Sequence, residues 1–97
     1  MERYNLSLSE EAKLFLEILD DKSKRICKNN LKKLKENPHP GRGSGDKEKL
    51  IVKGEEIYRL HIGRTFTAFY VILETKKLIR VVELLSIDKA HKKYGYK

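Results

Sequence analysis

Residues 56–85 read EIYRLHIGRTFTAFYVILETKKLIRVVELL, and they decide the fold. In EIYRLHI, Tyr58, Leu60 and Ile62 alternate with Arg59 and His61, a period of two that sends the two sets to opposite faces of a strand. TFTAFYVILE, residues 65–74, is rich in aromatic and β-branched side chains, and LIRVVELL, residues 78–85, is a further apolar run. Only a Gly63-Arg64-Thr65 corner and a Lys76-Lys77 turn separate these runs. Connections this short join antiparallel neighbours, because a parallel crossover needs a dozen residues or more. Upstream, KLIVK (residues 49–53) ends at Gly54 and supplies another strand.

Further toward the N-terminus the period changes. Tyr4, Leu6 and Leu8 alternate with Asn5 and Ser7, which predicts a short strand. Ser9 followed by two glutamates fits a helix N-cap, and Ala12, Phe15, Leu16 and Leu19 recur at helical spacing, so the first helix is expected over residues 10–20. Asp20 or Asp21 caps a second helix with the apolar stripe Ile26, Cys27, Leu31 and Leu34, stopped by Asn37-Pro38. NPHPGRGSGDKEK, residues 37–49, holds two prolines and three glycines and reads as a flexible connector. Its G-x-G-x-G pattern follows no strand and lacks a Gly-Lys-Ser/Thr ending, so it is not a phosphate-binding loop. The expected architecture is α+β in one domain over residues 1–97. A helical hairpin covers one face of a curved four-stranded, mostly antiparallel sheet, with the N-terminal strand at one edge and the other face open.

The chain has 97 residues, 22 Lys and Arg against 14 Asp and Glu, and a formal charge of +8. A body this small and basic suits a nucleic acid or an acidic protein as partner. Cys27 is the single cysteine, which leaves no internal disulfide and no zinc pair and suits a buried apolar role in a reducing cytoplasm. No apolar run reaches the roughly 18 residues of a membrane span, and the N-terminus has no signal-peptide core.

The basic residues suggest chemistry. Arg59 and His61 share the open face, Arg64 lies in the corner after them, and Lys53 precedes Gly54. The last twelve residues, SIDKAHKKYGYK, add Lys89, His91, Lys92, Lys93 and Tyr94. His91 and Tyr94 stand three apart, on one side of a helical turn, and a tail folded back on the sheet completes one basic patch. Arginine and lysine bind phosphate, and histidine moves protons near neutral pH. RNA carries its own nucleophile, the 2′-hydroxyl, so its cleavage needs a base, an acid and cations at phosphorus. No metal or other cofactor is expected, since the strands carry no acidic cluster suited to magnesium. Structural roles compete: Arg59 could pair with Glu55, Glu56 or Glu74, Tyr58 and Tyr70 suit a core, and the second helix's lysines suit either a solvated face or the backbone of structured RNA.

Strand, helical hairpin, loop, KLIVKGEEIYRLHIGRTFTAFYVI and IRVVELLSIDKAHKKY together resemble the RelE/ParE superfamily of toxins from type II toxin–antitoxin pairs, over nearly the whole chain. The resemblance implies the fold derived above. It also implies a RelE-like, ribosome-dependent endoribonuclease that cuts mRNA and inhibits translation, or alternatively a ParE-like inhibitor of DNA gyrase or a non-catalytic RNA-binding relative. Either kind of toxin would be neutralised by an acidic, RelB-like antitoxin. Arg59 and His61 stand where RelE-like toxins carry basic strand residues, while Thr67 stands where they often carry an arginine, with Arg64 as its nearest substitute. The expected site is Arg59, His61, Arg64, His91 and Tyr94 for catalysis, with Lys53, Lys89, Lys92 and Lys93 on the RNA backbone.

Overall fold

The structure, a computed structural model, describes residues 3–40 and 47–94, without the side chain of Tyr94. The glycine-rich stretch 41–46, read above as connector, lies outside the described residues. The elements are β1 (Asn5–Leu8), α1 (Glu10–Glu17), α2 (Asp21–Lys33), β2 (Lys47–Val52), β3 (Glu55–Ile62), β4 (Phe66–Leu73), a 3-10 turn (Glu74–Lys76), β5 (Leu78–Ser86) and α3 (Ile87–Tyr94).

Caps set the helices. Ser9 accepts from the Ala12 amide at 3.1 Å and donates to the Val82 carbonyl at 2.7 Å. That carbonyl is at hand because β5 bulges: Phe69 pairs with Glu83 but Tyr70 with Val81, leaving Val82 unmatched. α1 stops at Glu17, three residues short of the expected end. Asp20 has an extended backbone and accepts from the Ser23 amide, so it caps α2 instead of extending α1. The second helix also ends early, at Lys33, where i→i−3 bonds from Leu34 and Lys35 tighten the last turn ahead of Pro38.

The strands form one five-stranded sheet in the order β1-β5-β4-β3-β2. The four C-terminal strands are the expected antiparallel meander. β1 joins them as a fifth strand, parallel to β5 from Asn5↔Leu78 to Leu8↔Val81. β2 begins at Lys47, inside the expected loop, because Lys47 and Glu48 pair with Leu60 and Arg59.

α1 and α2 cover one face. Ala12, Leu16, Cys27 and Leu31 bury against Leu60, Ile62, Ala68, Tyr70, Val81 and Leu84 in one cluster. Each large side chain there contributes about 1.5–3 kcal/mol by leaving water. Tyr58 stacks on Tyr70 at 5.5 Å, as core tyrosines on this face. The Tyr70 hydroxyl donates to the Pro38 carbonyl at 2.6 Å, tying the segment after α2 to β4. Burial holds that phenol above the ordinary tyrosine range, so it stays a donor.

The second face is not fully open. The C-terminal segment folds as α3, capped by Ser86, whose hydroxyl accepts from Lys89 N at 3.4 Å. Ile87 N donates to the Thr65 carbonyl at 2.9 Å, which starts the helix beside the β3–β4 turn. Lys93 reaches Glu83 on β5 near its other end. Between them Ala90 is buried, and Phe69 is fully buried although it lies outside the main core. α3 therefore lies over the β4–β5 half of this face and leaves the β2–β3 half partly exposed. No described helix is long and apolar enough to cross a membrane.

Candidate functional site

The site is set by one turn. Lys53 and Gly54 both take positive φ, 52° and 83°, the geometry of a two-residue hairpin whose twist matches its strands. With that turn fixed, Glu48 must stand opposite Arg59. Continuing across the sheet, Arg59 stands opposite Phe69 and Phe69 opposite Glu83, so Glu48, Arg59, Phe69 and Glu83 make one transverse row.

The row carries an ion pair at each end, with Phe69 between them. Arg59 donates from Nε to Glu48 Oε2 at 3.1 Å and also from a terminal nitrogen to the same oxygen. The Arg59 side chain is only 15% exposed, whereas that of Glu48 is 47% exposed. The Arg59 hydrogen bond and charge, with His61 nearby, hold the Glu48 carboxyl below its usual range. His61 Nε2 lies 3.6 Å from the same oxygen, an electrostatic contact looser than a hydrogen bond. At the far end Lys93 donates to Glu83, and this bond and charge raise the lysine pKa. The carboxylate partner of Arg59 is thus Glu48, not Glu55, Glu56 or Glu74.

The expected site residues fall into groups. Arg59 and His61 are adjacent on the second face. Lys53 and Lys93 come together, with Val52, Glu55 and Ile57, around a groove of about 440 Å³ between the β2–β3 turn and the end of α3. Arg64 is exposed in the β3–β4 turn, at the opposite end of β3 from Lys53 and roughly 25 Å along the strand direction from it. Lys89 and Lys92 are exposed on α3, and His91 is half-buried on the same helix. Tyr94 closes α3, and its side chain lies outside the described residues. Thr67 is 1% exposed between His61 and Leu85, so no cation occupies that point of the sheet.

Two residues escaped the sequence reading. The sequence pattern places Glu48 in the loop and Glu83 in an apolar strand. The signal for Glu48 was present, since counting back from a Lys53-Gly54 hairpin turn puts residue 48 opposite residue 59. Chemically, the exposed half of the face offers a guanidinium, an imidazole and a carboxylate within one contact network, with two lysines along its edge. A phosphodiester arriving there would compete with Glu48 for Arg59, and the imidazole and carboxylate are competent to carry protons.

No family model matches the chain, and no curated protein matches it in sequence. Solved structures do match in shape. The archaeal RelE–RelB complex from Pyrococcus horikoshii superposes with a TM-score of 0.71 at 22% identity, covering 87% of this chain and 94% of that one. The toxin–antitoxin complex RelBE2 from Mycobacterium tuberculosis gives 0.73 at 13% identity, over 89% and 93%. YoeB from Staphylococcus aureus, described as a dimer, gives 0.69 at 21% identity, over 86% and 95%. Three toxin structures from separate bacterial and archaeal sources thus superpose on nearly its full length, and this chain has the RelE-like toxin fold.

Proposed function

We propose that this protein is the toxin of a type II toxin–antitoxin pair and a ribosome-dependent endoribonuclease that cuts mRNA without a metal. The observation that carries this reading is that Arg59, His61 and the helix bearing His91 share one sheet face of a RelE-like fold. In the proposed reaction Arg59 holds the scissile phosphate, and Arg64, roughly 16 Å further along the strand direction, holds another phosphate of the same strand. One histidine, His61 or His91, takes the proton of the 2′-hydroxyl, whose oxygen attacks phosphorus. The other gives a proton to the departing 5′-oxygen, leaving a 2′,3′-cyclic phosphate and a 5′-hydroxyl. Glu48 positions Arg59 and His61 through the contacts described above. Lys53, Lys89, Lys92 and Lys93 carry the RNA backbone, and Tyr94 stacks on or orients a base.

The neighbours from Pyrococcus horikoshii and Mycobacterium tuberculosis are complexes with an antitoxin. A charge of +8 suits an acidic partner of that kind here, with association speeded by charge complementarity. Acting on ribosomes, the protein would work in the cytoplasm. A second reading, RNA binding without cleavage, is favoured by the buried Thr67 at a position where RelE-like toxins often carry an arginine.

The test is purified protein with translating ribosomes and a defined message. Cleavage is expected, and His61→Ala and His91→Ala should each slow it about 10²- to 10⁴-fold, the range for loss of a proton-transfer group. A message left intact by the parent protein ends the nuclease reading. Binding to ribosomes without cutting selects the second.

A further inference from the structure

Helix α2 buries Cys27 and Leu31 under the sheet and turns a different surface outward. That helix carries six cations, Lys22, Lys24, Arg25, Lys28, Lys32 and Lys33, and one acid, Asp21. None of the six forms an ion pair among the described residues, whereas Lys49, Arg59, Lys77 and Lys93 each have a carboxylate partner. Lys24, Lys28 and Lys32 repeat at i, i+4, where like charges repel and weaken the helix. The ridge from Lys22 to Lys33 is about 17 Å long at 1.5 Å per residue. Two shallow grooves run beside it and share Lys32: one carries Lys24, Arg25 and Lys28, the other Arg3, Lys33 and Lys35.

We propose that this ridge is a docking surface for the phosphate backbone of double-stranded RNA, on the side of the molecule opposite the Arg59–His61 face. The inference rests on the reading of the protein as one that acts on RNA. A line of unpaired cations held in place by a rigid helix is what a polyanion releases its counterions to meet. Lysine acts as a point charge for phosphate and selects no base. The ridge has no aromatic side chain on which an unpaired base could stack, so it fits a duplex better than a single strand. An acidic protein fits less well. Interfaces between proteins are anchored by buried aromatic or apolar residues, and Ile26, 39% exposed, is the large apolar side chain that α2 exposes. With the message-cutting face on one side and the ridge on the other, the protein would be held by structured RNA while it works on a separate strand.

The experiment measures binding of the full chain to a 20-base-pair RNA duplex of arbitrary sequence by fluorescence anisotropy from 50 to 200 mM salt. The triple variant Lys24→Ala/Lys28→Ala/Lys32→Ala is compared with the parent. Three lost phosphate contacts reduce the salt slope so that the parent loses about 40-fold more affinity than the variant across that range. The triple Lys→Arg variant at the same positions retains the parent slope, and a thermal melt confirms that each variant folds. Equal slopes for parent and alanine variant overturn the proposal. So does weakened binding to a polyglutamate peptide with duplex binding unchanged, which would assign the ridge to an acidic protein. Duplex binding is read without cleavage. A chain that binds through the ridge but never cuts ends the nuclease reading alone, and one that cuts but ignores the ridge ends this inference alone.

Discussion

Replacing Arg59 by lysine separates a catalytic role from a structural one. The substitution keeps the charge but loses the guanidinium fork. A lysine cannot give Glu48 both the Nε bond at 3.1 Å and the second bond from a terminal nitrogen. For stability the loss is small. Glu48 is half-exposed, so solvent screens the pair, and a cost of about 1 kcal/mol is expected. A domain of this size with ~5 kcal/mol of stability would keep ~4, leaving about one molecule in a thousand unfolded. For catalysis the loss is large, because a donor aimed at a phosphate in a partly shielded site is worth about 10²- to 10³-fold in rate. Cleavage of a defined message by translating ribosomes, measured beside urea unfolding, should therefore show at least a 100-fold slower cut by a protein that is still folded. If Arg59→Lys cuts within about threefold of the parent, Arg59 serves only to hold β2 to β3, and the assignment of the phosphate site is wrong.

Tyr70→Phe removes the donor to the buried Pro38 carbonyl and should cost about 1–3 kcal/mol in urea unfolding; an unchanged midpoint would mean that the bond does not anchor the segment after α2. Burial pushes the Cys27 thiol up to about 11, so a thiol reagent at neutral pH should label it only after denaturant is added. Labelling within seconds in native buffer would contradict its place in the core. The Glu48 carboxyl is depressed in the fold, so its pairing stabilises fully above the ordinary glutamate pKa and less as pH falls through the folded value. Glu48→Gln should then be less stable than the parent at pH 7, by no more than about 1 kcal/mol, with the gap closing as pH falls below the ordinary glutamate range and through the depressed folded value. A gap that widens in acid would mean that the Glu48 carboxylate destabilises the fold.

Much of this fold was legible because its signals are local. Alternation marked β1, β3 and the face shared by Arg59 and His61, and Ser9 and Asp20 announced their helices. What stayed hidden depends on which elements meet. The alternation of Tyr4, Leu6 and Leu8 says strand but not neighbour. The parallel pairing with β5 joins segments some 70 residues apart, from Asn5↔Leu78 to Leu8↔Val81. Lys47 and Glu48 carry no apolar pattern and follow a glycine-rich run, so only their partners on β3 make them strand. The C-terminal segment read as basic and helical at His91 and Tyr94. That it would bury Ala90 and shelter Phe69 could not be seen without knowing the second face it crosses. The site was half legible for the same reason: the cations stand out in the sequence, but the carboxylates that hold them depend on register.

RNA cut on this face through the substrate's own 2′-hydroxyl would carry that chemistry in its cut ends. Purified protein, translating ribosomes treated just before the reaction so that free divalent ions are chelated as far as ribosome integrity allows, and an end-labelled message suffice. Upstream fragments are expected to end in a 2′,3′-cyclic phosphate or its 3′-phosphate hydrolysis product, and downstream fragments to begin with a 5′-hydroxyl. Fragments beginning with a 5′-phosphate, or an arrested ribosome bearing an uncut message, would contradict cleavage by the 2′-hydroxyl.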